Sequence, residues 1–150
     1  MDMKKKAKKQ PILRLASDTG SLKLTEIDYL GSGAYSCRLL IESSGFCCDR
    51  PFGFDNDEYF VSKAHDVINS DNAEADLMDL QADSYIRLKP FENATILVSG
   101  FIVEETNLTQ SIEFAFSVSK DIASQFVTDF EKMVRSNIWI CVLISWWLAG

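Results

Sequence analysis

Leu108-Thr109-Gln110-Ser111-Ile112-Glu113-Phe114-Ala115-Phe116-Ser117-Val118 is the stretch on which the fold turns. Ile112, Phe114, Phe116 and Val118 share one face at a period of two, while Glu113, Ala115 and Ser117 share the other. That is the pattern of a strand with one buried side. Just before it, Ala94 to Glu104 places Ile96, Val98 and Ile102 in a second strand-like run. Thr106-Asn107 between the two reads as the turn of a hairpin. Gly100, inside the earlier run, predicts a β-bulge. After Val118 the period changes. From about Lys120, Ile122, Phe126, Phe130, Met133 and Val134 fall at helical spacing, with Asp121 suited to the positive end of the helix dipole.

Reading back toward the start, Leu22 and Leu24 followed by Ile27 and Tyr29 describe a strand that changes face near Glu26. Gly31-Ser32-Gly33 is a turn, Ala34 to Glu42 a second strand and Gly45 to Phe54 a third. Such short connections favour antiparallel pairing. Asp55-Asn56-Asp57-Glu58 has the form of a capping box with Asp55 as N-cap. Phe60, Ala64, Val67 and Ile68 then form one helical face, ended by Asn69-Ser70-Asp71-Asn72. Ala75 to Leu80 and Ser84 to Leu88 are short, weaker strand runs. The order is strands, helix, strands, helix, without strict alternation. It implies an α+β fold: a mostly antiparallel sheet of about six to seven strands with two helices packed on it.

The 150 residues, 47% apolar with ten Phe, suit one domain with a real core. That domain is expected to run from 11 to 135. The net charge of −7 is uneven. Residues 1–10 hold five Lys (Lys4, Lys5, Lys6, Lys8, Lys9) and one Asp, and read as a basic disordered tail. The other 140 residues carry ten Lys or Arg against 21 Asp or Glu, a net −11. Such a body repels nucleic-acid phosphates and steers basic partners toward itself. Pro11 to Ala16 is too short for a signal peptide and is interrupted by Arg14, so a cytoplasmic protein is expected. Residues 136–150 form an apolar C-terminal tail without a charge. Thirteen of its residues as a helix reach only about 20 Å, short of the roughly 30 Å hydrocarbon core. A lone spanning helix is therefore disfavoured unless the second helix continues into the tail with Lys132 and Arg135 snorkelling. A final core element, or contact with a partner or membrane surface through Trp139, Trp146 and Trp147, is the expectation for it, with an extension unrelated to the rest of the fold as a third reading.

Little in the chain points to catalysis. Gly31-Ser32-Gly33 is followed by a strand rather than by the helix that a phosphate loop opens. Asp55, Asp57 and Glu58 resemble calcium ligands, but an EF-hand loop starting at Asp55 would put Phe60 where a Gly is needed and Asp66 where a Glu is needed. Cys37, Cys47, Cys48 and Cys141 form no CxxC pair, and His65 is the one histidine, so a zinc site is not expected. Buried reduced thiols are the simpler reading. A nucleophilic Cys47 or Cys48 served by His65 is a third and weaker alternative. The reading is therefore a non-catalytic protein without a cofactor or metal. Asp71, Glu74, Asp76, Asp79 and Asp83 form an acidic series, which is either a solvated face or a docking surface for a basic protein.

Phe52-Gly53-Phe54-Asp55 entering a helix, the strand ILVSGFIVEE (96–105) and IEFAFSVSKDIASQF (112–126) together resemble the immunity proteins of polymorphic toxin systems in bacteria, including the WapI-type immunity family. The resemblance runs from about Leu22 to Val134 and lies in element order and apolar pattern. The Lys-rich start and the tail after Arg135 depart from it. It implies a protein that neutralises a toxin by occupying it. Asp71, Glu74, Asp76 and Asp79, with Glu104 and Glu105 as a second patch, are the expected partner-binding residues, and a basic protein such as a cognate toxin is the expected partner. The alternative is a membrane-associated accessory protein that uses the apolar tail. Oligomeric state is not legible.

Overall fold

The computed structural model describes residues 10–80, 83–105 and 109–149. Four strands come first: β1 (Leu13–Ser17), β2 (Gly20–Gly31), β3 (Ala34–Ser43) and β4 (Phe46–Phe54). They form an antiparallel meander in the order β1-β2-β3-β4. Helix α1 (Asp57–Asn69) follows. The same order then repeats: β5 (Ala75–Met78), β6 (Tyr85–Phe91), β7 (Thr95–Glu105) and β8 (Thr109–Ser119) form a second antiparallel meander, followed by α2 (Lys120–Ala149). The fold is α+β as expected, but its eight strands lie in two sheets of four.

The extra strand is β1. Leu13 and Leu15 are buried on either side of exposed Arg14, opposite Leu24 and Leu22 of β2. The face change in β2 is real. Glu26 takes a positive φ of 50° where the β2–β3 register shifts between Thr25 and Asp28, and Ile27 re-enters the core. Ser44-Gly45 closes the β3–β4 hairpin with both residues at positive φ (49° and 84°), the two-residue turn whose twist matches the strands. No bulge occurs at Gly100. Its pairs, Ile86↔Gly100 and Gly100↔Phe114, sit in unbroken register, and the glycine serves close packing instead. A Cβ there would collide with the Tyr85 carbonyl oxygen and lie 2.8 Å from Phe114 Cε1. The hairpin turn read at Thr106-Asn107 and the lysine run of residues 1–9 lie outside the described residues.

The inward faces of both sheets build one core that the helices complete. Helix α1 packs on β5 and β6, and α2 packs on β1, β7, β8 and α1. Phe60, Ala64 and Val67 of α1 are buried, as are Ala123, Phe126, Val127, Phe130, Met133 and Val134 of α2. Ile122, placed on that face by its spacing, sits at the margin instead, 36% exposed. Phe130 is the hub, its ring centroid 5.0 Å from Phe60, 5.5 Å from Phe54 and 6.1 Å from Phe126. Such ring pairs add about 0.5–1.5 kcal/mol each beyond area burial.

Side chains tie the two sheets at both margins. The outward backbone groups of β8 are taken by hydroxyls from the turns of the first sheet. Ser17 Oγ donates to the Ser117 carbonyl (2.6 Å), Thr19 Oγ1 accepts from the Ser117 N–H (3.2 Å), and Ser43 Oγ donates to the Ala115 carbonyl (3.4 Å). At the other margin the Leu80 N–H donates to the Gly53 carbonyl (2.8 Å). Arg50 of β4 donates to the Val103 carbonyl and pairs with Glu104 at 3.0 Å.

Helix α2 continues through Ser136 to Ala149, so the apolar C-terminal segment forms the second half of a 30-residue helix about 45 Å long. Among the described residues no helix is long and apolar enough to cross a membrane.

Candidate functional site

The structure disperses the acidic series. Asp71 is exposed in the loop after α1, and Glu74 is exposed just ahead of β5. Asp76 lies directly across from Arg87 on the outer face of the second sheet, and its carboxylate accepts two hydrogen bonds from that guanidinium at 2.7 and 3.0 Å. Glu74 sits 3.6 Å from Arg87 and 3.7 Å from Lys89. The bond to Asp76 holds the Arg87 guanidinium above its ordinary pKa. Bidentate pairs of this kind are geometrically specific, but they leave less charge to offer a partner. Asp79 is half-buried and accepts from the Gly53 N–H at 3.4 Å. Together with Glu104 and Arg50 it lines a cleft of about 400 Å³, so members of both predicted patches meet there, around a cation. The side chains of Glu105 and Trp139 lie outside the described residues.

A larger opening, about 780 Å³, lies where the β2–β3 turn, the start of α1 and the end of α2 converge. Its walls combine Tyr29, Tyr35 and Tyr59 with Asp55, Asp57 and Glu58, and Ser145 of α2 closes one side. The local sequence explains the geometry. Helix α1 begins one residue later than a capping box on Asp55 requires: Asn56 is the N-cap, its carbonyl accepting the Phe60 N–H at 2.8 Å. The Asn56 side chain makes no capping bond. Its amide spans to β5, donating to the Asp76 carbonyl (2.8 Å) and accepting from the Met78 N–H (3.3 Å). That bridge fixes the first turn of α1, and the carboxylates suit the positive end of the helix dipole.

Asp57 is buried, and burial raises its carboxyl above the ordinary range against the pull of nearby backbone N–H groups. Tyr29 and Tyr35 stand 5.1 Å apart at a 52° tilt, and the Tyr29 hydroxyl accepts from the Gly33 N–H at 3.2 Å. Tyr35 stacks on Phe54 at 5.1 Å and meets Asn137 of α2 at 3.4 Å. Tyr59 is 62% exposed. Among the described residues no cation pairs with Asp55 or Glu58, in contrast to Asp76 and Glu104. Tyr35 is fully buried, and Lys63 Nζ lies 5.7 Å over the Tyr59 ring, so the cleft offers Tyr29 and Tyr59 beside the carboxylates of Asp55 and Glu58, a combination that favours an ammonium or guanidinium group.

The thiols are arranged differently. Cys37 is buried, and burial, then the charge of Asp79, pushes its thiol up to about 12. Burial also raises Cys48, while Cys47 is exposed. His65 is exposed on α1, with its Nε2 2.7 Å from a Glu131 carboxylate oxygen. That carboxylate is also paired with Arg135 at 2.5 Å, and the His65 hydrogen bond, followed by Arg135, holds Glu131 below its ordinary range. Among the described residues no group of three or more His, Cys, Asp or Glu is placed to hold a metal ion.

No protein-family model matches the chain. Comparison with curated proteins finds no match either. Among solved structures, the chain is similar to the plant transcriptional regulator PBF-2, with a TM-score of 0.54 and 11% identity, over 93% of this chain and 88% of that one. The likeness is one of fold. It extends over both halves of the duplicated strand-and-helix order.

Sequence reasoning missed the tyrosines. Tyr29 and Tyr35 flank the Gly31-Ser32-Gly33 turn and Tyr59 follows the acidic start of α1. Only the pairing of β2 with β3 and the course of α2 bring them together.

Proposed function

We propose that this chain is a non-catalytic binding protein that neutralises a basic protein by occupying it, as the resemblance to immunity proteins implies. The observation that carries the reading is the 780 Å³ cleft, where Asp55 and Glu58 share the wall with Tyr29 and Tyr59. A Lys or Arg side chain from a partner loop fits such a cleft, gaining roughly 0.5–2 kcal/mol per aromatic face once desolvated. The body charge of −11 outside residues 1–10 adds long-range steering. Asp71 and Glu74 extend the acidic surface, while Asp76, Asp79 and Glu104 contribute after internal pairs are rearranged. PBF-2 is named as a transcriptional regulator. For this chain the acidic body weighs against phosphate-rich ligands.

Affinity capture with the full chain, at low and at moderate salt, tests the proposal. The expected result is one basic protein, retained less at higher salt and weakened at least about tenfold by the Asp55→Lys/Glu58→Lys double variant. Capture of nothing, of nucleic acid, or of a partner indifferent to that variant refutes it.

A further inference from the structure

We propose that the C-terminal end of α2 is a self-association surface on which a second copy of this chain docks, helix against helix. No residue after Arg135 is charged. Within that stretch Trp146, Trp147 and Leu148 are 77%, 84% and 75% exposed. Three consecutive helical positions fan across about 200° of the helix, so one flat face of the chain's own body does not cover all three. The backbone N–H donors there are satisfied within the helix, and the complement is therefore an apolar side-chain surface rather than an added strand.

Area and charge both favour a second copy. At about 150–250 Å² per Trp, the two indoles with Leu148 present about 500 Å² on each chain. A symmetric pair covers at most about 1,000 Å², the lower bound for a specific interface, so the pair is weak. A charged segment laid on this end loses hydration and finds no counter-charge. The last turn of α2 has no basic residue, and the body behind it is acidic, so an anionic lipid surface is repelled. A second copy supplies an uncharged helix of matching length and closes by a two-fold axis. Because two acidic bodies approach each other, salt strengthens this pairing, opposite to its effect on the basic partner of the cleft.

Sedimentation equilibrium of the full chain across micromolar concentrations, at low and high salt, reads the mass directly. Expected is a monomer–dimer equilibrium that tightens with salt. The Trp146→Lys/Trp147→Lys variant weakens it at least tenfold with an unchanged far-UV spectrum. Leu148→Asp serves as an independent second variant with the same expected effect. A monomer at every concentration, or dimers indifferent to both variants, overturns the proposal. So does a wild-type monomer that cosediments with phosphatidylcholine or phosphatidylserine vesicles, which would assign the surface to lipid.

Discussion

Gly100→Ala separates close packing from local backbone freedom. In a bulge with ordinary φ, alanine at this position is neutral or stabilising by about 0.4–1 kcal/mol, because it removes freedom from the unfolded chain. In the observed register the new methyl has no room. It meets the Tyr85 carbonyl oxygen, which belongs to the backbone, and the Phe114 ring at 2.8 and 2.9 Å. The ring can tilt only into a core already filled by Phe116 beside it. The carbonyl moves only if β6 and β7 separate. Overpacking costs about 1–3 kcal/mol and a weakened ladder bond about 1 kcal/mol, so the loss is about 2–4 kcal/mol. In urea, with a slope near 2 kcal/mol/M for this size, the midpoint falls by about 1–2 M. Far-UV circular dichroism through a urea titration measures it. A midpoint equal to or above that of the parent chain refutes the steric reasoning and restores the bulge.

Other substitutions probe the core and the titrating groups. Phe130→Ala removes the ring shared by Phe54, Phe60 and Phe126 and is expected to cost about 3–5 kcal/mol in the same titration. Glu131 has a folded pKa below its ordinary value, so its contribution is fully present above the ordinary glutamate range and is lost as pH falls through the lowered folded value. Glu131→Gln should therefore be less stable than the parent at neutral pH, by under about 1 kcal/mol since the group is partly solvated, with the difference vanishing in acid. Thermal melts across that pH range give the comparison. With its thiol pushed up to about 12, Cys37 should resist iodoacetamide at mildly alkaline pH until urea unfolds the chain, while exposed Cys47 reacts first. Peptide mapping by mass reads each cysteine separately.

Much of the fold was legible because the decisive signals are local. The alternation of Ile112, Phe114, Phe116 and Val118 appears as β8, the reversal at Glu26 appears as a register shift, and both helices lie where their periods place them. Strand β1 escaped because five residues with two inward leucines give too short a run. The division into two sheets escaped because it depends on which edges meet, a non-local property. The capping box failed for a related reason: the carbonyl and amide that Asn56 prefers belong to β5, 20 and 22 residues away. The acidic series looked like one surface until pairing placed Arg87 opposite Asp76, and Arg50 beside Glu104. The tyrosine-lined cleft has no sequence signature, since its walls come from a hairpin, a helix start and a helix end far apart in the chain.

The hydroxyls of Ser17, Thr19 and Ser43 have a meaning beyond joining two sheets. A border strand with vacant amides and carbonyls is a template for fibre growth, and β8, rich in Phe and Ile, would be a potent one. Filling those positions from the chain's own turns denies incoming strands their first bonds. Replacing the three hydroxyl residues by alanine would leave the interior untouched yet open the β8 edge to strand-by-strand polymerisation.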